Sequence, residues 1–505
     1  MKTRFWILSL AAIALLPGCA AGPNYRRPAL AIPAHFKEQG AWKPARPMDA
    51  APRGRWWTVY RDPQLDRLIA RLDISNETIR QAEAEYQAAD ALVAQARAAY
   101  FPLIGASAES TRSHGAATRA NIGAGGASFA PAPGTATVDS ASLDATWEID
   151  LWGRLRRETE AARENFKASA ADLAAARLSA EAALALDYFQ LRVTDTERRI
   201  YAKNVAGLRL SLKITENQLA AGVAARSDVA QAQTLLQQTR AAAIDLGIQR
   251  AQLEHAIAVL IGEPPADFSL PPSRFEARVP SIPAGLPSAL LERRPDVAAA
   301  ERRVAAANAN IGVAESAYFP QLTLGGALGY AATSWAGLVS AANRVWAVGP
   351  ALALPLFEGG ARRAATREAR ANYAASVAAY RQTVLGAFQG VEDDLATLGV
   401  LQRERRVQDR ATRAADDAER IALNQYRAGA ASYLSVVVAQ SAALANERAS
   451  LDIRGRQIAA SIALIKDLGG GWDQPTGVAS DAPIGAAAGE IAGARRAGAT
   501  PTPKR

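Results

Sequence analysis

The sequence predicts a mainly α-helical chain with a transmembrane β-barrel portion, built by duplicating one helix–hairpin–long helix–helix unit. Three observations lead there. First, one set of motifs is written twice. A-A-Y-F-P at 98–102, W-E-I-D-L-W-G at 147–153, N-Q-L-A-A-G at 217–222 and L-I-G at 260–262 return as S-A-Y-F-P at 316–320, P-L-F-E-G-G at 355–360, N-Q-Y-R-A-G at 424–429 and D-L-G at 467–469. The offset stays near 205–218 residues, so this is a duplicated half rather than a solenoid. Second, no proline interrupts 153–221 or 360–428. A helix of roughly 69 residues is about 100 Å long. Third, each copy holds a pair of period-2 segments whose apolar face has no other sheet or spare core to cover it.

Composition supports long, closely packed helices. Aromatics make up only 6% of the 505 residues, and Ala is abundant. The net charge is +9, or +7 once Lys2 and Arg4 leave with the leader. Arginines interleave with Glu and Asp, as in E-T-E-A-A-R-E-N at 158–165, which reads as solvated helix faces and not as a nucleic-acid stripe. One cysteine, Cys19, excludes an intramolecular disulfide. Three histidines on no shared pattern argue against a zinc site, and two methionines argue weakly against a soft-metal path. No G-x-S-x-G, phosphate loop or other catalytic constellation is present, so no enzyme and no cofactor is expected.

In chain order, residues 1–18 read as a lipoprotein signal peptide. Lys2 and Arg4 precede an apolar run too short to span a bilayer, and L-P-G-C at 16–19 resembles a bacterial lipobox. Cleavage before Cys19 would leave its thiol to carry lipid, with Ala20 next rather than an inner-membrane retention Asp. Residues 19–54 form a lipidated, Pro-rich extended arm lying over other structure. Repeat 1 runs over 55–280. Asp62 with Pro63 starts a helical region reaching Tyr100, with a break near Ser75–Asn76, and Pro102 stops it.

Strands follow at about 103–113 and 138–152, joined by a small-residue loop at 114–137. Leu143, Ala145, Trp147, Ile149 and Leu151 share one face, and Asp144, Thr146, Glu148 and Asp150 the other. The first face suits lipid and the second water, with Trp147, Trp152 and Trp346 in an interfacial girdle. After the long helix, a turn at about 220–228 leads into a shorter one. Repeat 2, 281–473, places strands at about 321–331 and 345–357 and its turn at about 427–435. The helices flanking each long one should span roughly 31–38 residues, two end to end matching one long helix. Residues 474–505, rich in Ala, Gly and Pro, read as a disordered tail.

Four strands cannot close a barrel, and open edges cannot face lipid. The chain must therefore oligomerise if its hairpins enter a membrane; two, three or four copies satisfy the count. The competing reading is a periplasmic coiled-coil lipoprotein, a scaffold or adaptor without a pore.

L-L-E-R-R-P-D-V-A-A-A-E-R-R-V-A-A-A-N-A-N-I-G-V-A at 290–314, R-W-W with D-P-Q-L near residue 60, D-L-W-G-R at 150–154 and G-P-N-Y-R-R-P at 22–28 resemble the outer-membrane efflux channel family. The chain is similar to TolC-like proteins and especially to their NodT-type lipoprotein branch, which serves resistance–nodulation–division pumps. The resemblance runs from the lipobox to about residue 471. It implies a homotrimer with a 12-stranded barrel in the outer membrane of a Gram-negative bacterium and a periplasmic α-helical barrel. It also implies passive conduction of drugs or other toxic solutes received from an inner-membrane pump through a periplasmic adaptor.

On that resemblance the turns form the periplasmic tip. Gly222, Val223, Ala224, Arg226, Ser227, Gly429, Ala430, Ser432 and Tyr433 are adaptor-contact candidates. Asp228 matches an acidic position at the family's constricted entrance, whereas its counterpart here is Ser435 and the next inward turn carries Val438. A weaker preference for cations and a more apolar constriction, with Leu434 and Tyr433 as candidates, are expected. Arg293, Arg294, Pro295 and Asp296 are expected to be architectural, joining the re-entering chain to carboxylates and carbonyls.

Overall fold

The computed structural model describes residues 20–30, 33, 36–37, 54–115, 134–280 and 293–470. Cys19, the signal peptide, most of the arm, the loop at 116–133 and the 474–505 tail lie outside the described residues. A 3-10 turn at Trp56–Tyr60 precedes α1 (Pro63–Ser75) and α2 (Glu77–Ala98). The hairpin β1 (Leu103–Gly115) and β2 (Gly134–Glu148) leads into α3 (Arg154–Ala220) and α4 (Arg226–Leu260). The second copy repeats the order with α5 (Pro295–Ser316), β3 (Gln321–Ala332), β4 (Arg344–Ala353), α6 (Ala361–Arg427) and α7 (Tyr433–Asp467).

Both long helices have 67 residues, and at 1.5 Å per residue each extends about 100 Å. α3 packs on α2, α4, α5 and α7, and α6 on α5 and α7. The tip-side partners α4 and α7 have 35 residues each, within the expected length. The sheet-side partners α2 and α5 have only 22. Asn76 explains the first shortfall. Its side chain accepts the Ile79 N–H at 2.9 Å and so starts a new helix, separating α1 from α2. Pro295, which cannot continue a helix backwards, begins α5.

The repeated glycine motifs sit where short helices abut. α4 ends at Gly262 (φ +69°), and Asn76 Nδ2 donates to the Leu260 carbonyl at 2.7 Å. Ser75 Oγ donates to the Ile261 carbonyl at 2.5 Å. α7 ends at Gly469 (φ +87°), and Arg294 Nη1 donates to the Asp467 carbonyl at 2.9 Å. Each joint gives the orphan carbonyls of a helix end a polar side chain from the helix stacked beyond it.

The largest core cluster lies at these joints. Trp56, Trp57, Tyr60 and the α1 stripe Leu65, Leu68, Ile69 and Leu72 pack on Leu184, Tyr188 and Phe189 of α3 and on Ile458, Ile462 and Ile465 of α7. The stripe's i, i+3, i+4, i+7 spacing buries one face of α1.

The strands form one antiparallel sheet in the order β1-β2-β3-β4. Their outer ends reach further than expected, to Gly115 and from Gly134, and β3–β4 closes over a short 3-10 turn. At the inner ends β1 and β3 begin where expected, and β2 and β4 stop sooner. β2 stops at Glu148 rather than 152, because Asp150 turns to accept the Leu155 and Arg156 N–H groups at 3.2 and 3.0 Å and so caps α3. β4 stops at Ala353 rather than 357, and Leu354 and Leu356 lie beyond it. Pro355 offers no ladder donor there.

Candidate functional site

The two helix turns at the far end from the sheet have the same construction. α3 runs into Gly222 (φ +76°), with Val223 N donating to Gln218 O at 2.8 Å. α6 runs into Gly429 (φ +72°), with Ala430 N donating to Gln425 O at 2.9 Å. Both are left-handed caps that close the last carbonyls. Gly222, Val223, Arg226 and Ser227 are exposed in one turn, and Gly429, Ala430 and Ser432 in the other; Ala224 is half-buried. A separate apolar cluster of Ala232, Tyr426, Tyr433 and Val436 holds the two hairpins together, with Tyr426 Oη donating to Thr215 Oγ1 at 3.3 Å.

Tyr433 therefore does not serve as sequence reasoning expected. It is 1% exposed, with its ring edge-on to Tyr426 at 5.1 Å. Burial, with Tyr426 and Asp228 nearby, pushes its hydroxyl up to about 12. Its position on the buried 433–436–440 stripe of α7 removes it from both adaptor contact and constriction. Leu434, Ser435 and Val438, on the opposite face, are exposed. Asp228 is half-buried, and its carboxylate accepts the Ala225 N–H at 3.3 Å, holding the first turn of α4. Ser435 Oγ lies 3.3 Å from Ser432 Oγ.

At the other end, the ladder registers sort the sheet into two faces. Leu143 pairs with Ala106 and with Leu328, which pairs with Trp346. Ile104, Ala145, Gly326 and Val348 form the next row, and Trp147, Leu324 and Pro350 another. Over these rows that face is apolar, and Leu143, Leu328, Trp346, Val348 and Leu352 are exposed on it; toward the loop ends it turns polar at Ser110, Asp139 and Arg344. The opposite face is mostly small or polar, and Ser107, Ser142 and Asp144 hydrogen-bond on it at 2.9–3.0 Å.

Two of the three tryptophans expected in a girdle, Trp147 and Trp152, brace the helix-to-strand corners. Trp147 Nε1 donates to Tyr100 O and Trp152 Nε1 to Pro320 O, each at 2.8 Å, so the two Y-F-P turns are each pinned by an indole. Trp152 also stacks on Phe319 at 4.8 Å. Trp346 lies within β4 on the apolar face.

The described part of the N-terminal arm starts at this same level. Ala21 N donates to Trp152 O at 2.9 Å. Arg157 donates to Ala21 O, Gly22 O and Asn24 Oδ1, and Asn308 Nδ2 donates to Pro23 O. The arm descends to Tyr25 and Arg27, which meet Glu301, and to Phe36, buried in the main core.

The outer membrane efflux protein family model matches residues 68–263 and 286–470. The chain belongs to this family. The toluene efflux pump outer membrane protein TtgC of Pseudomonas putida is 30% identical over 477 residues, covering 94% of this chain and 97% of that one. The outer membrane protein OprJ of Pseudomonas aeruginosa is 30% identical over 475 residues, covering 94% and 97%. The solved structure of the outer-membrane channel OprN superposes with a TM-score of 0.82 at 32% identity, covering 90% of this chain and all of that one. As in those channels, the family member described here is mainly helical, belongs to the outer membrane and extends into the periplasm.

Of the architectural candidates, Arg294 chelates Asp296 at 3.0 and 2.7 Å while reaching Asp467, Pro295 opens α5, and the backbone of Arg293 lies against Gly469. Sequence reasoning did not single out Asn76 or Arg157. Asn76 had a signal, since it lies in the expected helix break three residues before Ile79; the contacts of Arg157 with the arm had none, since they are with Ala21, Gly22 and Asn24, over 130 residues away.

Proposed function

We propose that three copies of this chain form a continuous conduit: a twelve-stranded barrel in the outer membrane above a helical tunnel across the periplasm. The chain is an outer-membrane efflux channel, acting with a periplasmic adaptor and an inner-membrane pump. The observation that carries the assembly is the sheet. It has a face whose central rows are apolar and, among the described residues, two unpaired edges, β1 and β4. Such edges cannot stand in hydrocarbon, and four strands cannot close on themselves. Pairing β1 of one protomer with β4 of the next removes every edge, turns the apolar face to lipid and leaves Asp144 and Ser107 facing water.

The Gly222 and Gly429 turns, with Val223, Ala224, Arg226, Ser227, Ala430 and Ser432, then form the adaptor-facing tip. Asp228, Leu434, Ser435 and Val438 line the entrance. With one carboxylate per protomer and two exposed apolar side chains, the entrance discriminates weakly between cations and anions. A lipidated Cys19 fits the arm, because Ala20 and Ala21 lie at the Trp152–Gly153 corner where the sheet meets the helices. The cargo is a broad class of small toxic organic solutes, moved without covalent chemistry.

The test is purification from outer membranes followed by planar-bilayer recording. Heat-resistant trimers and stepwise conductance support the conduit. Monomers that leave bilayers silent would return the pore-free scaffold reading, which none of the relatives described above favours.

A further inference from the structure

Sequence patterning placed the arginines on solvated faces among carboxylates, but three distant segments gather several of them around one groove. The start of α1, the middle of α3 and the segment 271–280 border about 1130 Å³, lined among the described residues by six arginines and two carboxylates. The floor is a fixed aromatic cluster: Tyr60 and Phe189 lie 5.0 Å apart, Tyr188 and Phe189 5.3 Å, and Phe189 and Phe275 6.5 Å.

The nearby carboxylates are mostly committed. Asp62 accepts the Gln64 and Leu65 N–H groups and the Tyr188 hydroxyl. Asp195, beneath the floor, is held by Arg192, Arg250 and the Ser273 N–H. Arg192, 3% exposed, also donates to Pro271 O at 2.9 Å, yet its Nε has no acceptor among the described residues. On the rim, Arg61, Arg199, Arg274 and Arg278 are exposed without an ion-pair partner among the described residues, and Arg67 reaches only Gln64. Among the described lining residues, that leaves Glu276 to balance them. Arg61 is also the one non-glycine described residue with a left-handed backbone (φ +53°). Such a conformation persists only where its surroundings impose it.

We propose that this groove binds a carboxylate-rich polymer, the acidic peptides of the cell wall. Guanidinium groups pair with carboxylates and phosphates alike, through two parallel hydrogen bonds. Position decides between the sources. Tyr188 lies 34 residues into α3, about 50 Å along the helix from the sheet, beyond the reach of lipid phosphates. At that depth the extended anionic polymer available is the cell wall, whose peptides end in carboxylates. A groove of this volume accommodates a chain, and spaced arginines suit repeated charges better than one small anion. Docking there would hold the channel at a fixed height in the wall.

The experiment uses the full-length channel in detergent, pelleted with protein-free cell-wall sacculi. Fluorescent poly-L-glutamate and inorganic polyphosphate are titrated in parallel. Binding to sacculi and polyglutamate should weaken as salt rises. The triple variant Arg199→Glu, Arg274→Glu, Arg278→Glu should bind about tenfold or more weakly, because it reverses the local field. A charge-matched control on exposed α6 positions, Arg406→Glu, Arg410→Glu, Arg413→Glu, should bind as the parent does. Bilayer conductance should be unchanged in both, which separates failure of this site from failure of the channel. Equal binding by the triple variant, binding to polyphosphate alone, or collapse of its heat-resistant trimer would overturn the proposal; the last would assign the arginines to a neighbouring protomer.

Discussion

Arg294 donates from Nη1 to the Asp467 carbonyl at 2.9 Å, so the residue that caps the start of α5 also closes the end of α7. The same guanidinium grips Asp296 and lies 3.3 Å from the Asp467 carboxylate. Burial would raise the Asp296 carboxyl, but the Arg294 hydrogen bonds hold it below its usual value. Arg294→Ala should lower stability by about 1.5–3 kcal/mol, since a charged donor is lost and a buried carbonyl is orphaned. Arg294→Lys should recover only part, because one ammonium cannot replace the fork. Thermal unfolding in detergent measures both; an unchanged midpoint for the alanine variant would remove the joint from the architecture.

Asp394 stands near that joint with a carboxylate oxygen that has no hydrogen-bond partner among the described residues. Burial, then the charges of Asp467 and Asp393, push it up to about 7, against the pull of Lys466. The folded chain thus holds this proton more tightly than the unfolded chain. Stability falls as pH rises from the ordinary carboxyl range through 7, and the full cost is present above it. Asp394→Asn should therefore raise the melting temperature at pH 8 and leave it almost unchanged at pH 5. An equal increment at both values would show that ionisation is not the cause.

The four left-handed glycines that end helices should not be equivalent. A Cβ on Gly222 or Gly429 meets open space, so alanine there costs backbone strain alone, about 1 kcal/mol. A Cβ on Gly262 would lie 2.2 Å from Ser75 O, and one on Gly469 2.9 Å from the Arg293 carbonyl carbon. At those sites alanine must also push two stacked helices apart. Gly262→Ala and Gly469→Ala should lower the melting temperature well beyond Gly222→Ala and Gly429→Ala. Similar losses at all four would mean that the joints yield freely.

Those glycines also mark where the sequence could be read. The duplicated motifs located the long helices within a residue at each end, because an unbroken proline-free run between glycines leaves few alternatives. Period 2 found the strands and their apolar face. The inner end of β2 was misplaced because Asp150 continues the alternation in sequence while its carboxylate caps a helix in space. Tyr433 was misread for a related reason: proximity to a turn does not tell which side of the helix a residue occupies. The arginine groove left no trace along the chain, since its walls come from residues 61–67, 188–199 and 271–278.

The entrance offers the sharpest consequence of unequal repeats. Asp228 carries a charge and caps α4, so Asp228→Ala would remove both and weaken the first turn by about 1 kcal/mol. Asp228→Asn keeps an acceptor and removes only the charge, and is therefore the cleaner probe. In bilayers it should abolish block by multivalent cations and shift reversal potentials toward anions. Ser435→Asp adds a second carboxylate per protomer at an exposed position and should shift both readouts the opposite way. The effect should shrink with salt, because exposed charges are screened over about 8 Å at physiological ionic strength. If block by multivalent cations survives Asp228→Asn unchanged, the charge that governs entry lies elsewhere in the conduit.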